Sequence, residues 1–212
     1  MTIDVRLYLV SDPACPNLAR VVDLAVGAGV TCVQVRDKLA TPRARADSLE
    51  RIRGAVGGRV PVLVDDDLDA ARAACGLHVG PDDVRPAVAR AALGPDVIIG
   101  WSIGDPGQLD DREQLAACDY VAASPVWTTP TKLEADRPLG LDGVRALAER
   151  LAGRLPLVAI GGIDAANAES VIAAGADGVA VVRAICTADD PAAAARELRA
   201  TVDGALSSRS AR

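Results

Sequence analysis

Several short segments of this 212-residue chain carry side chains able to act on an anionic substrate. In VQVRDK, Gln34, Arg36 and Lys38 alternate. Residues two apart share a strand face, so an amide and two cations can point into one volume and hold a diphosphate. A polar strand end with solvated charges is the competing reading. VPVLVDDDLD carries Asp65, Asp66 and Asp67, and LHVGPDD carries Asp82 and Asp83. Carboxylates converging from adjacent strand ends suit a hard cation such as Mg2+, which takes one or two carboxylates and completes its shell with water and phosphate oxygens. Either cluster alone reads as helix N-capping. Beside a basic cluster, the two together favour the metal.

Further along, IIGWS ends in Ser102, which alone would be read as a cap. The stretch SPVWTTPTKLEADRPLG holds the hydroxyls of Thr128, Thr129 and Thr131, the cation Lys132, and prolines that discourage helix. Long loops in compact domains are often functional, so a lid bearing Lys132 is set against a passive surface loop. Gly161-Gly162 permits close backbone approach to a ligand, and the last apolar run passes through Val182 into Arg183. The lone histidine, His78, sits between Leu77 and Val79. That placement favours a hydrogen-bonded core or barrel-lining residue over a general base, because no second histidine and no GxSxG elbow exist to build a nucleophilic site.

These segments need a scaffold that brings them together. Apolar runs at 7–10, 32–35, 60–64, 77–79, 97–101, 120–123, 157–160 and 178–182 alternate with helical patterns at 18–28, 43–56, 68–74, 84–93, 106–117, 143–151, 167–174 and 191–203. Eight strand-helix units of about 26 residues suit short loops and helices of about ten residues. Strands that are apolar on both faces and separated by helices imply a parallel sheet. A single-domain (β/α)8 TIM barrel over residues 1–204 is the expected fold, with a doubly wound open sheet as runner-up. In a barrel, the strand carboxyl ends and the loops after strands seven and eight face one pocket, which is where the segments above fall. The polar tail 205–212, ALSSRSAR, is expected to be disordered.

Composition removes other classes. Lys and Arg (23) fall short of Asp and Glu (29), the net charge is −6, and only 2% of residues are aromatic, so nucleic acid is an unexpected partner. One histidine excludes HExxH zinc chemistry. Five scattered cysteines without a CxxC argue against a disulfide framework or structural zinc and for a reducing compartment. No apolar run approaches the roughly 20 residues of a membrane span, and MTIDVRLYLVSDP lacks the pattern of a signal peptide. A cytoplasmic protein with no membrane partner is expected.

VQVRDK, the Asp66 and Asp83 pair, IIGWS, TTPTK, LVAIGGI and GADGVAVVRAI, in this order, resemble the thiamine-phosphate synthase family across nearly the whole chain. The resemblance implies a (β/α)8 barrel that joins a hydroxymethylpyrimidine diphosphate to a thiazole phosphate with Mg2+, releasing diphosphate. It implies that Gln34, Arg36 and Lys38 hold the pyrimidine diphosphate, that Asp66 and Asp83 ligate Mg2+, and that Ser102 touches the pyrimidine. Lys132 is implied as a diphosphate contact. Thr129, Pro130, Thr131, Gly162, Val182 and Arg183 match the thiazole phosphate site. The catalytic set so implied is Lys132, Arg36, Lys38 and Ser102. The implied reaction is dissociative, with a benzylic-type cation captured by the thiazole nitrogen, and asks for no protein nucleophile or base. The chain departs from the family pattern in reading Asp65-Asp66-Asp67 for Asn-Asp-Arg, Pro81 for Gln, Gly104 for His and Ser124 for Gly. Asp65 thereby replaces a pyrimidine-binding amide. Three adjacent aspartates repel, so one is expected to be protonated, turned outward or paired with Arg36. The alternatives are a related thiazole tautomerase, which relies on a histidine after strand five, and a degenerate barrel that binds a phosphorylated ligand. A homo-oligomer is left open.

Overall fold

The computed structural model describes residues 3–129 and 137–211. Its strands are β1 (Leu7–Val10), β2 (Cys32–Val35), β3 (Val62–Asp65), β4 (Gly76–Val79), β5 (Ile98–Ile103), β6 (Tyr120–Ala123), β7 (Leu157–Ile160) and β8 (Gly178–Val181). Between and after them lie α1 (Leu18–Gly27), α2 (Pro42–Val56), α3 (Leu68–Ala71), α4 (Pro86–Leu93), α5 (Arg112–Ala116), α6 (Gly140–Leu151), α7 (Ala168–Ala173), α8 (Arg183–Cys186) and α9 (Pro191–Ser210). All neighbouring strands are parallel, and β1 pairs with both β2 (Tyr8 opposite Cys32) and β8 (Tyr8 opposite Ala180). The sheet is therefore a closed eight-stranded barrel, which eliminates the open sheet.

Closure divides the apolar residues by strand parity. Leu9, Val33, Val64, Leu77, Ile99, Val121 and their equivalents point outward and pack under the helices. Tyr8, Cys32, Leu63, Ile98, Tyr120, Val158 and Ala180 fill the inside. Inward positions toward the carboxyl ends turn polar: Gln34, Asp65, His78 and Ser102 extend the inner set. Among the described residues, no helix is long and apolar enough to cross a membrane.

Several element ends shift by one to three residues from the sequence expectation, and three differences are larger in kind. The pattern at 106–117 is a 3-10 turn (Pro106–Asp110) followed by α5, because Asp111 leaves helical geometry and caps the second segment through Gln114 N–H. The short α8 had no sequence signal of its own, being too brief for a helical period. The tail expected to be disordered is instead the last turns of α9 through Ser210. There Ala205 is buried, and Arg209 donates to the carbonyls of Ile172 (3.2 Å) and Ala176 (2.7 Å) and pairs with Asp177 at 2.7 Å. One arginine thus anchors an otherwise polar segment.

Candidate active site

The strand carboxyl ends open into one cavity of ≈ 410 Å3. Gln34, Arg36, Lys38, Asp65, Asp66, Asp83, Ser102, Thr129, Gly162, Val182 and Arg183 all line it. Pro130, Thr131 and Lys132 lie outside the described residues. Residues so far apart in the chain meet because each stands on or just beyond a strand end.

The three consecutive aspartates do not share an environment. Asp65 ends β3 on the inward face, its side chain only 9% exposed, with Oδ2 at 3.4 Å from Arg36 Nε. That oxygen has no hydrogen-bond partner. Asp66 takes a left-handed conformation (φ 60°), which Asp tolerates better than most residues, and its N–H donates to the His78 carbonyl. The turn breaks the strand's alternation and brings the Asp66 carboxylate to 2.7 Å from Lys38 Nζ. Asp67 faces away, accepts the N–H groups of Asp69 (3.0 Å) and Ala70 (2.9 Å) as the cap of α3, and pairs with Arg45. Of the expected ways to relieve repulsion, Asp65 takes the pairing with Arg36 and Asp67 the outward turn.

The charges shift one another accordingly. Burial pushes the Asp65 carboxyl above its usual range, against the pull of Arg36 and Lys38. Burial and the neighbouring Asp66 carboxylate also raise Asp83, while the Gly80 N–H (2.7 Å) works the other way. Burial opposes the Lys38 charge, but the hydrogen bond and charge of Asp66 prevail and hold its pKa above the ordinary value. Asp67 is lowered despite burial, by the Ala70 N–H and then Arg45. Among the described residues, no group of three or more His, Cys, Asp or Glu could hold a metal. Asp66 and Asp83 both line the cavity, however, and offer a two-carboxylate oxygen site.

On the opposite side of the cavity, Gly161 (φ 110°) and Gly162 (φ 68°) follow β7. A Cβ on Gly161 would lie 2.8 Å from Pro125 Cβ, and one on Gly162 3.1 Å from Trp127 Cβ. The glycines therefore let the loop after β6 lie against the loop after β7, with Trp127 N–H donating to the Gly161 carbonyl at 3.1 Å. Their backbone also borders the cavity beside Arg183.

The cavity floor is a hydrogen-bonded chain across the barrel. Gln34 Nε2 donates to Tyr8 OH (3.1 Å), Tyr8 OH meets Tyr120 OH (3.0 Å), and Tyr120 OH meets His78 Nδ1 (2.8 Å). His78 Nε2 then meets Ser102 Oγ at 2.9 Å. His78 is thus the barrel-lining histidine its sequence context indicated. Tyr8 and Tyr120 were missed from sequence; the signal was that a buried tyrosine in an apolar strand needs a partner for its hydroxyl. Arg45, the partner of Asp67, had no such signal.

Such a cavity can hold a polyanion between Arg36 and Lys38, with two carboxylates available for a divalent cation and a second anion accommodated near Arg183. Comparison with known proteins gives the same direction. The sequence model of the family described as thiamine monophosphate synthase matches residues 7–185. The thiamine-phosphate synthase of Albidiferax ferrireducens is 44% identical over 206 residues, covering 93% of this chain and 92% of that protein. That of Xanthobacter autotrophicus is 45% identical over 207 residues, covering 94% and 96%. Among solved structures, a thiamine phosphate pyrophosphorylase from Pyrococcus furiosus superposes with a TM-score of 0.85 at 33% identity, covering 96% of this chain and 98% of its own.

Proposed function

The chain belongs to the thiamine monophosphate synthase family, and on that premise we propose that it joins an aminopyrimidine bearing a diphosphooxymethyl group to a thiazole phosphate. The products are thiamine phosphate and diphosphate, and the enzyme is a transferase. The observation that carries this reading is the separation of charge in one cavity: Arg36, Lys38 and the Asp66–Asp83 pair on one side, Gly162 and Arg183 on the other. Such a cavity suits a diphosphate and a phosphate monoester bound together.

In this assignment Gln34, Arg36, Lys38 and Lys132 hold the diphosphate, and Ser102 and Asp65 face the pyrimidine. Thr129, Pro130, Thr131, Gly162, Val182 and Arg183 take the thiazole phosphate. Asp66 and Asp83 would hold Mg2+; the fit rests on their hard oxygen donors, which line the same cavity. When bound, Mg2+ supplies charge neutralisation for the departing diphosphate. The pyrimidine CH2–O bond breaks, its electron pair leaves with diphosphate, and the thiazole nitrogen donates its lone pair to the CH2 carbon. Arg36, Lys38 and Lys132 stabilise the leaving group electrostatically. No proton transfer by the protein is needed, and both His78 ring nitrogens are already engaged. A tautomerase reading finds no histidine after β5, where the Gly104 N–H binds Gln108 instead. The five free cysteines are in keeping with a cytoplasmic enzyme.

Purified protein supplied with both substrates and Mg2+ should form thiamine phosphate, and chelation should stop it. Lys132→Ala should lower turnover by about 10^2- to 10^3-fold, the usual cost of one charge-stabilising group. Binding of both substrates without product would overturn the reading in favour of a non-catalytic barrel, and an unaltered Lys132→Ala rate would remove Lys132 from it.

A further inference from the structure

The chain from Gln34 to Ser102 has a direction. The amide NH2 of Gln34 faces the Tyr8 oxygen, so the Tyr8 hydroxyl hydrogen must point elsewhere. Two groups lie beside it: the Tyr120 oxygen at 3.0 Å and the Cys32 sulfur, and sulfur is the weaker acceptor. With Tyr8 donating to Tyr120, the Tyr120 hydrogen is free to go to His78 Nδ1. Nδ1 is then the acceptor, the ring hydrogen sits on Nε2, and Nε2–H donates to Ser102 Oγ. Reversing the order would turn the Tyr8 hydrogen toward the Gln34 NH2 or leave it to the thiol, in an interior where an unmet polar group is costly. Tyr8 and Tyr120 are both almost wholly buried, so water does not offer an alternative partner.

We propose that Tyr120, backed by Tyr8 and Gln34, is a positioning residue that holds His78 as the Nε2–H tautomer and so leaves the Ser102 hydroxyl as a hydrogen-bond donor to the cavity. Ser102 then selects a substrate atom with a lone pair and disfavours an N–H or O–H at the same point. The polarity is inferred from the Gln34 amide donating to Tyr8, carried along three contacts whose distances fit either order. The identity of the acceptor, a nitrogen of the pyrimidine ring, rests on the function proposed above.

Because the chain has one histidine, the test is direct. Protein labelled with 15N-histidine gives a single imidazole, and long-range 15N–1H correlation at about pH 8 tells the pyrrole-type from the pyridine-type nitrogen. The expected result is Nε2 protonated and Nδ1 unprotonated. Tyr120→Phe should shift the Nδ1 resonance and admit the other tautomer, and should lower kcat/KM for the pyrimidine substrate about ten-fold, the loss of one oriented hydrogen bond. Tyr8→Phe keeps the Tyr120 donor and should retain the Nε2–H form. A wild-type protein with Nδ1 protonated overturns the proposal whatever the variants do, as does a folded Tyr120→Phe protein with unchanged imidazole resonances. The NMR outcome does not depend on turnover, so failure here and failure of the proposed activity are distinguishable.

Discussion

Gly100→Ala and Gly204→Ala should change stability in opposite directions, though the substitution is chemically the same. Gly100 sits inside the barrel on β5, opposite Tyr120 on β6. A Cβ there would overlap Cζ and the hydroxyl oxygen of Tyr120, well inside van der Waals contact. The ring has nowhere to go: Tyr120 is 0% exposed, with the His78 ring stacked at 5.6 Å and the Tyr8 ring edge-on at 5.9 Å. Overpacking of this kind costs about 1–3 kcal/mol. Displacing the hydroxyl from His78 and Tyr8 adds about 1–3 kcal/mol for a buried polar group left unmet. The expected loss is about 2–6 kcal/mol, or roughly 5–20 °C in Tm for a protein of this size. Gly204 lies in α9, where an added Cβ would meet no atom within 4 Å. Alanine there should raise stability by about 0.5–1 kcal/mol through helix propensity and reduced unfolded-state freedom. Thermal unfolding followed by circular dichroism, with urea midpoints as a second measure, reads both. A Gly100→Ala protein within about 1 kcal/mol of the parent would refute the packing argument.

Asp67→Ala should cost about 1–3 kcal/mol at neutral pH, because it removes the cap of α3 and strands Arg45, which like Asp67 is only 18% exposed. The folded pKa of Asp67 lies below its ordinary 3.8, so this stabilisation is complete above 3.8 and fades as pH falls through the lower folded value. Urea unfolding of variant and parent should therefore converge in strong acid; a gap that persists there would assign the effect to something other than the carboxylate. Asp65→Asn removes a buried charge whose folded pKa is raised, a destabilising contribution that grows as pH rises above the ordinary range, so the variant should gain stability at neutral pH. It also frees Arg36 for the diphosphate, and the apparent KM for the pyrimidine substrate should fall by up to about ten-fold. An unchanged KM would show that Asp65 does not compete for Arg36.

The alternation of strands and helices was legible because each strand is apolar on both faces, a pattern that a short run carries within itself. The placing of chemistry at strand ends was legible for the same reason: VQVRDK, VDDD and AIGGI switch from apolar to polar or glycine where a strand stops. Local signals did not reach the C-terminal tail, whose helix depends on Arg209 bonding to groups distant in the chain, the carbonyls of Ile172 and Ala176. Nor did they reach the division of Asp65, Asp66 and Asp67, which hangs on one left-handed residue and on Arg36, Lys38 and Arg45 arriving from the end of β2 and from α2. By itself, then, the sequence determined the eightfold alternation of strand and helix and which residue types stand at the strand ends, since propensity and periodicity act over a few residues. Only the tertiary structure decided barrel closure, which aspartate meets which cation, and the direction of the Gln34-to-Ser102 chain, because each needs groups that come into contact only when the first strand closes on the eighth.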